Sequence, residues 1–84
     1  MTQIAKLYAW LLANPRATMQ FRDFQRLLTA FGFIHLRTAG SHMAYHHPTV
    51  NRTLIVQPRG KDAKPYQVQQ FLAMIEAFDL TLEE

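Results

Sequence analysis

Three stretches of the chain carry apolar residues at the spacing of an α-helix, i, i+3, i+4 and i+7. The first predicted helix covers residues 4–13, and one face of it carries Ile4, Leu7, Tyr8 and Leu11. The second carries Phe24, Leu27, Leu28 and Phe31, preceded by Phe21. The third carries Val68, Phe71, Leu72, Ile75 and Phe78.

Proline and glycine mark the ends of these helices. Asn14-Pro15 ends the first, because the residue before a proline is disfavoured in the α region. Gly32 is suited to the C′ position of the second, and Pro65 to the first position of the third.

Between the second and third helices the apolar period changes to two, which predicts strands in FIHLRT (33–38), HMAYHH (42–47) and RTLIVQ (52–57). The intervening turns are short, so the strands should form an antiparallel meander. PRGKDAK (58–64) is predicted to be a basic loop. The order predicts an α+β fold with a three-stranded antiparallel sheet and helices on one face. This α-β-β-β-α layout is that of the double-stranded-RNA-binding fold, with an extra N-terminal helix.

A chain of 84 residues predicts one domain. We expect a helical extension at 1–16 and a core at 17–84. No apolar run reaches the ~20 residues of a membrane span, and no cysteine is present, which excludes disulfides and thiolate-ligated metals. These features favour a cytoplasmic protein.

The charge favours a phosphate-bearing partner. The chain has a net charge of +3 and a pI near 9.7, and six of its nine basic residues are arginines. The guanidinium group matches the geometry of phosphate oxygens, so nucleic acid is a candidate partner.

Strand alternation predicts where the histidines lie. If Ile34, Leu36, Met43 and Tyr45 face the helices, the open face of the sheet carries His35, Arg37, His42 and His46. A metal site does not fit this arrangement, because His42 and His46 would be roughly 13 Å apart along a strand. His47 should point to the opposite face, and no carboxylate is near, so we expect neither metal nor cofactor.

Acid–base chemistry suits these histidines better, because an imidazole exchanges a proton near neutral pH. RNA supplies its own nucleophile, the ribose 2′-hydroxyl. Arg37 on the same face, and Arg59, Lys61 and Lys64 before the third helix, could neutralise a phosphate. A helix N-terminus also favours phosphate.

The stretches RLLTAFGF, AGSHMAYHHP and QPRGKDAKPYQVQQFL resemble the HicA family of toxin–antitoxin ribonucleases, from about residue 21 to 80. The resemblance implies a double-stranded-RNA-binding-like fold and an endoribonuclease toxin that cleaves mRNA without a metal. It also implies a HicB-type antitoxin as protein partner, and a toxin that is monomeric when free.

The family's glycine, serine and histidine carry over to Gly40, Ser41 and His42. His42 is therefore the expected catalytic residue, and His46 a second candidate for proton transfer. Arg37, Arg59, Lys61 and Lys64 are the expected RNA-binding residues.

Two positions depart from the family pattern. Met43 stands where many members have a second histidine, and Arg59 and Gly60 follow Pro58 where many have another. A second hypothesis therefore stays open: an RNA-binding module of the same fold without nuclease activity. A third is a protein-interaction role for the first helix, since Trp10 and Leu12 flank its apolar stripe.

Overall fold

The computed structural model describes residues 3–83. Its elements follow the predicted order, with a short hairpin added before the last helix. The helices are α1 (Gln3–Ala13), α2 (Phe21–Ala30) and α3 (Pro65–Phe78). The strands are β1 (Ile34–Ala39), β2 (His42–His46), β3 (Thr53–Val56), β4 (Pro58–Arg59) and β5 (Asp62–Ala63).

The three longer strands form an antiparallel sheet in the order β1-β2-β3, with the helices packed on one face. The predicted α+β class and α-β-β-β-α arrangement are confirmed, as is the additional N-terminal helix. The predicted boundary at residue 16, between a helical extension and the core, stays a prediction. Residues 1, 2 and 84, at the two ends of the predicted domain, lie outside the described residues.

Phe71 of α3 is the centre of the core. Its ring meets those of Phe24 and Phe31 at 5.5 Å and that of Phe33 at 5.9 Å, all edge to face. Such aromatic pairs add to the free energy gained from burial. Tyr45 and other inward residues of β2 and β3 complete the core against these rings.

The predicted face of α3 is only partly right. Val68, Phe71 and Ile75 are buried, but Phe78 is 40% exposed. Two residues outside the predicted stripe, Gln67 and Met74, are buried.

Helix α1 packs on the core. Leu11 is fully buried, and the ring of Tyr8 meets that of Phe31 at 4.8 Å. Trp10 and Leu12 are exposed on the other side of the helix. The apolar stripe of the first helix therefore packs on the core of the domain.

Gly32 ends α2 as the sequence predicts. Its φ is +89°, a conformation that side-chain-bearing residues rarely adopt. The Gly32 amide donates to the carbonyl of Thr29, and the Phe33 amide donates to that of Leu28, both at 3.0 Å. This is the hydrogen-bond pattern of a Schellman motif, and it sends the chain directly into β1.

A β-bulge in β1 changes the predicted faces. Ile34 pairs opposite His46, His35 opposite Tyr45 and Arg37 opposite Ala44, which leaves Leu36 as the extra residue. Opposite residues share a face. The prediction that Ile34 and Leu36 face the helices is therefore wrong: they are 52% and 51% exposed.

Phe33, just before the strand, occupies the core position instead and is 3% exposed. The first inward-facing residue of this segment is therefore Phe33, one position before Ile34, where the sequence pattern placed it.

Residues 58–63 form a hairpin instead of the predicted loop. Pro58 pairs with Ala63 and Arg59 with Asp62 around Gly60, whose φ is +61°. The Phe21 amide donates to the carbonyl of Lys61, and the Ala63 amide to that of Met19, both at 2.8 Å. The hairpin is thus fixed to the entry of α2. No helix in residues 3–83 is long and apolar enough to cross a membrane.

Candidate functional site

His42 begins β2, directly after the two-residue turn Gly40-Ser41. Gly40 has a φ of +61°. A glycine with positive φ at the first central position is what a tight type II′ hairpin requires. The turn thereby fixes the backbone of His42, whose side chain is exposed.

The imidazole borders a cleft of about 340 Å³ between β3 and α3. That volume falls at the lower end of the range for small-ligand sites, roughly 300–1,000 Å³. The polar and aromatic lining consists of His42, Arg52, Thr53, Gln57, Tyr66, Gln67 and Gln70.

Gln57 connects the His42 turn to the start of α3. Its Nε2 donates to Ser41 Oγ at 2.9 Å, and its Oε1 accepts from Lys64 Nζ at 3.0 Å. The ammonium group of Lys64 is thereby held near the turn that carries His42.

Gln67 anchors this arrangement from the buried side. It is 4% exposed, and its Oε1 accepts the backbone amide of Gln57 at 2.9 Å. Its Nε2 donates to the hydroxyl of Tyr66 at 3.3 Å. Buried polar groups are costly unless they are paired, and both ends of this amide have partners.

The predicted basic residues divide between two places. Lys64 belongs to the cleft through Gln57. Arg37 lies opposite Ala44, on the same face as His42 and diagonal to it, within reach of a long side chain. Lys61 lines a different groove, with Gln25, Met43 and Gly60. Arg59 is exposed on the same hairpin, paired with Asp62.

The other histidines have separate positions. His46 shares the face of His42 but pairs with Ile34 and Thr53 at the far end of β2. The expectation that His35 lies on the open face is wrong. Because of the bulge at Leu36, His35 pairs opposite Tyr45, on the face toward the helices. The two rings stack, with their centroids 5.1 Å apart.

The remaining contacts of His35 and His47 are structural. His35 Nε2 is 2.8 Å from Thr38 Oγ1. His47 is 6% exposed, and its Nδ1 accepts the backbone amide of Thr49 at 3.2 Å.

Met43 projects from β2 on the face opposite His42. Gln25 Nε2 donates to its sulfur and to the hydroxyl of Tyr45, both at 3.3 Å. The side chain that replaces the family's second histidine therefore packs between α2 and the sheet, away from the cleft.

Within residues 3–83, no three histidine or carboxylate side chains come together in a way that could hold a metal ion. The cleft instead offers an imidazole, a guanidinium group and amides, and Gln57 holds the ammonium group of Lys64 beside it. These groups can move a proton and bind an anion.

Sequence reasoning did not identify Arg52, Gln57, Tyr66 or Gln67 as site residues. They come from α3 and from the positions directly before and after β3, and no recognisable spacing connects them. The only signal was the clustering of glutamines and tyrosine in KPYQVQQ, which carries no mechanism by itself.

A comparison with protein families matches residues 21–77 to the family described as the HicA toxin of bacterial toxin–antitoxin systems. The match covers more than half of the chain and includes the turn, β2, the basic hairpin and nearly all of α3. No curated protein and no solved structure matches the chain significantly. Membership of a toxin–antitoxin family implies a cognate antitoxin. The chain therefore belongs to the HicA family of bacterial toxins.

Proposed function

We propose that this toxin is a metal-independent endoribonuclease that cleaves mRNA, with His42 as its catalytic residue. The observation that carries the proposal is the exposed imidazole at a cleft that also contains Arg52 and is connected to Lys64 through Ser41 and Gln57. An imidazole beside cations is the combination that transfer of the 2′-hydroxyl proton and neutralisation of a phosphate require.

The roles follow from these positions. His42 takes the proton from the ribose 2′-hydroxyl or returns one to the leaving oxygen. Lys64, Arg37 and Arg52 bind phosphate groups around the scissile bond. Gly40 allows the tight turn, and Ser41 fixes the turn through its hydrogen bond with Gln57.

Three of the predicted residues have supporting roles at most. Arg59 and Lys61 extend the positive surface along the hairpin. His46, roughly 13 Å along the strand from His42, acts on a different part of the RNA and not on the same phosphate.

The first test is induced expression of wild type and His42→Ala in a bacterial host, with growth and mRNA integrity followed together. We expect the wild type to stop growth and degrade mRNA, and His42→Ala to do neither while keeping its thermal unfolding midpoint. Loss of a general acid–base group typically lowers the rate about 10²- to 10⁴-fold.

His35→Ala is the matched control, since it removes an exposed histidine of the same sheet outside the cleft. We expect it to remain toxic. Purified wild type should cleave RNA equally well with EDTA. Equal toxicity of His42→Ala and wild type would contradict the assignment, and loss of cleavage in EDTA would contradict metal independence.

The second candidate function is RNA binding without cleavage, in a toxin that works by occupying mRNA. The observations that favour it are that His42 is the only histidine among the described residues lining the cleft, and that Met43 stands where many family members have a second histidine. It predicts that wild type and His42→Ala bind RNA equally and that neither produces fragments.

In either case we propose that the partner is a HicB-type antitoxin, that the free toxin is monomeric and that it acts in the cytoplasm. Size-exclusion chromatography with light scattering would test the oligomeric state.

A further inference from the structure

Tyr66 stands out among the residues of the His42 cleft. It lies in the first turn of α3 and is 56% exposed, more than any other large apolar or aromatic side chain among those described. Single exposed apolar residues are ordinary on protein surfaces. Tyr66 differs because it borders the same cleft as His42.

The tyrosine hydroxyl is tethered. It accepts from Gln67 Nε2 at 3.3 Å, and Gln67 is buried and fixed in turn by the backbone amide of Gln57. An exposed ring that is already ordered loses less conformational entropy when a ligand binds than a freely rotating one. The ring is thus presented to solvent in a defined position beside the catalytic candidate.

The surroundings of the ring suit one chemical class of ligand. Lys64, two residues earlier, offers an ammonium group, and Arg52 offers a guanidinium group across the cleft. Gln70 adds an amide that can both donate and accept. A planar, apolar surface with cations and an amide nearby matches an unpaired nucleotide, whose base stacks while its phosphate is neutralised.

We propose that Tyr66 is the stacking platform for an unpaired base adjacent to the scissile phosphate, where the ribose 2′-hydroxyl attacks with His42 as its acid–base partner. This inference rests on the proposed function and specifies its substrate: a single-stranded segment of RNA with one base turned onto the Tyr66 ring. Tyr66 is a positioning residue and takes no proton. A base in a duplex cannot reach the ring, so paired RNA is a poor substrate.

The test uses two short single-stranded RNAs whose 2′-oxygens are methylated, so that they bind without being cleaved. The first carries a fluorescent 2-aminopurine among ordinary bases. The second has the same backbone but lacks bases at the central positions. Affinity is measured by fluorescence anisotropy for wild type, Tyr66→Ala, Tyr66→Phe and Phe78→Ala.

We expect Tyr66→Ala to weaken binding of the first RNA roughly 5- to 100-fold, the usual range for loss of one base–aromatic stack. Binding of the RNA without central bases should not change, because that RNA is held through its phosphates. Tyr66→Phe keeps the ring and loses only the tether, so its affinity for the first RNA should fall much less than that of Tyr66→Ala. Quenching of 2-aminopurine should occur with wild type and Tyr66→Phe only.

Phe78→Ala is the matched control, since it removes a partly exposed aromatic ring from the far end of the same helix. It should not alter affinity for either RNA. Circular dichroism of each variant confirms that the fold is intact.

Three results would overturn the stacking role. Equal affinity of Tyr66→Ala and wild type for the first RNA is one. Equal losses of affinity in Tyr66→Phe and Tyr66→Ala would assign the effect to the hydroxyl group and not to the ring. Equal losses of affinity for both RNAs in Tyr66→Ala would assign the effect to contacts with the RNA backbone or to the fold of the protein.

Cleavage of the matching RNA with free 2′-hydroxyls separates this inference from the proposed function. Binding that depends on Tyr66 without any cleavage supports the platform and contradicts the nuclease. Cleavage without dependence on Tyr66 supports the nuclease and contradicts the platform. Wild type that binds neither RNA contradicts both.

Discussion

Gln57 contacts three parts of the candidate site at once. Its side chain bridges Ser41 and Lys64, and its backbone amide is bound by Gln67. A flexible lysine that is held before the substrate arrives loses less side-chain entropy on binding, an effect of roughly 0.5–1.5 kcal/mol for such a side chain. The glutamine therefore contributes to the site without touching the substrate.

Replacing Gln57 with alanine tests this contribution. We expect kcat/KM for RNA cleavage to fall roughly 2- to 10-fold, mainly through KM, because Lys64 must then be ordered by the RNA itself. Steady-state kinetics on a short RNA would measure the change. Gln69→Ala is the control, since that amide binds the carbonyl of Pro15 away from the cleft. Equal kinetics for Gln57→Ala and wild type would contradict the role.

At the residue scale, the sequence singled out His42 as the catalytic candidate, which stays a prediction, but not the residues that surround it. The histidine was recognisable because it follows Gly40-Ser41 in a short, defined turn. Gln57, Tyr66 and Gln67 were not, because their roles depend on how α3 lies against β3. A glutamine on a predicted helix carries no signal that its amide will be buried and paired.

Helix α1 is the element that lies outside the family match, yet it contributes to the core. Leu11 is fully buried, whereas its neighbour Leu12 is 54% exposed. These adjacent leucines of one helix provide a matched pair, identical in chemistry but different in burial.

We expect Leu11→Ala to lower the free energy of unfolding by about 2–5 kcal/mol, through lost burial and the cavity left behind. Leu12→Ala should change it by less than about 0.5 kcal/mol. Urea denaturation followed by circular dichroism would measure both values. Similar small effects for the two variants would show that α1 is not an integral part of the folded unit.

At the element scale, regular patterns were predictable and local irregularities were not. The helices and the three longer strands follow periods of 3.6 and 2, which the sequence displays directly. The bulge at Leu36 interrupts the period of two, so the faces assigned to Ile34, His35 and Leu36 were wrong. The β4–β5 hairpin has strands of two residues, too short for any periodicity to appear.

At the scale of the whole molecule, six of the nine basic residues divide between two surfaces. Arg37, Arg52 and Lys64 lie around the His42 face, whereas Arg22, Arg26 and Lys61 line grooves beside α2. Only the first group is proposed to contact the RNA at the scissile phosphate.

This division predicts the salt dependence of RNA binding. If three cations neutralise three phosphates, the logarithm of the binding constant should fall against the logarithm of salt concentration with a slope of about −2 for a single strand. Lys64→Gln should make the slope shallower by about 0.7. Arg26→Gln, on α2, should leave it unchanged. Affinity measured from low to moderate salt would test this, and equal effects of the two variants would contradict the division.

The bulge in β1 also has a consequence for solubility. Within residues 3–83, β1 pairs with a strand on one side only, β2, so its other side is a free edge of the sheet. An uninterrupted free edge with exposed isoleucine and leucine would invite another chain to add as a further strand. The extra residue at Leu36 bends the strand and interrupts this template, and the charge of Arg37 beside it opposes the approach of a like strand. We therefore expect the bulge in β1 to lower the tendency of this edge to aggregate.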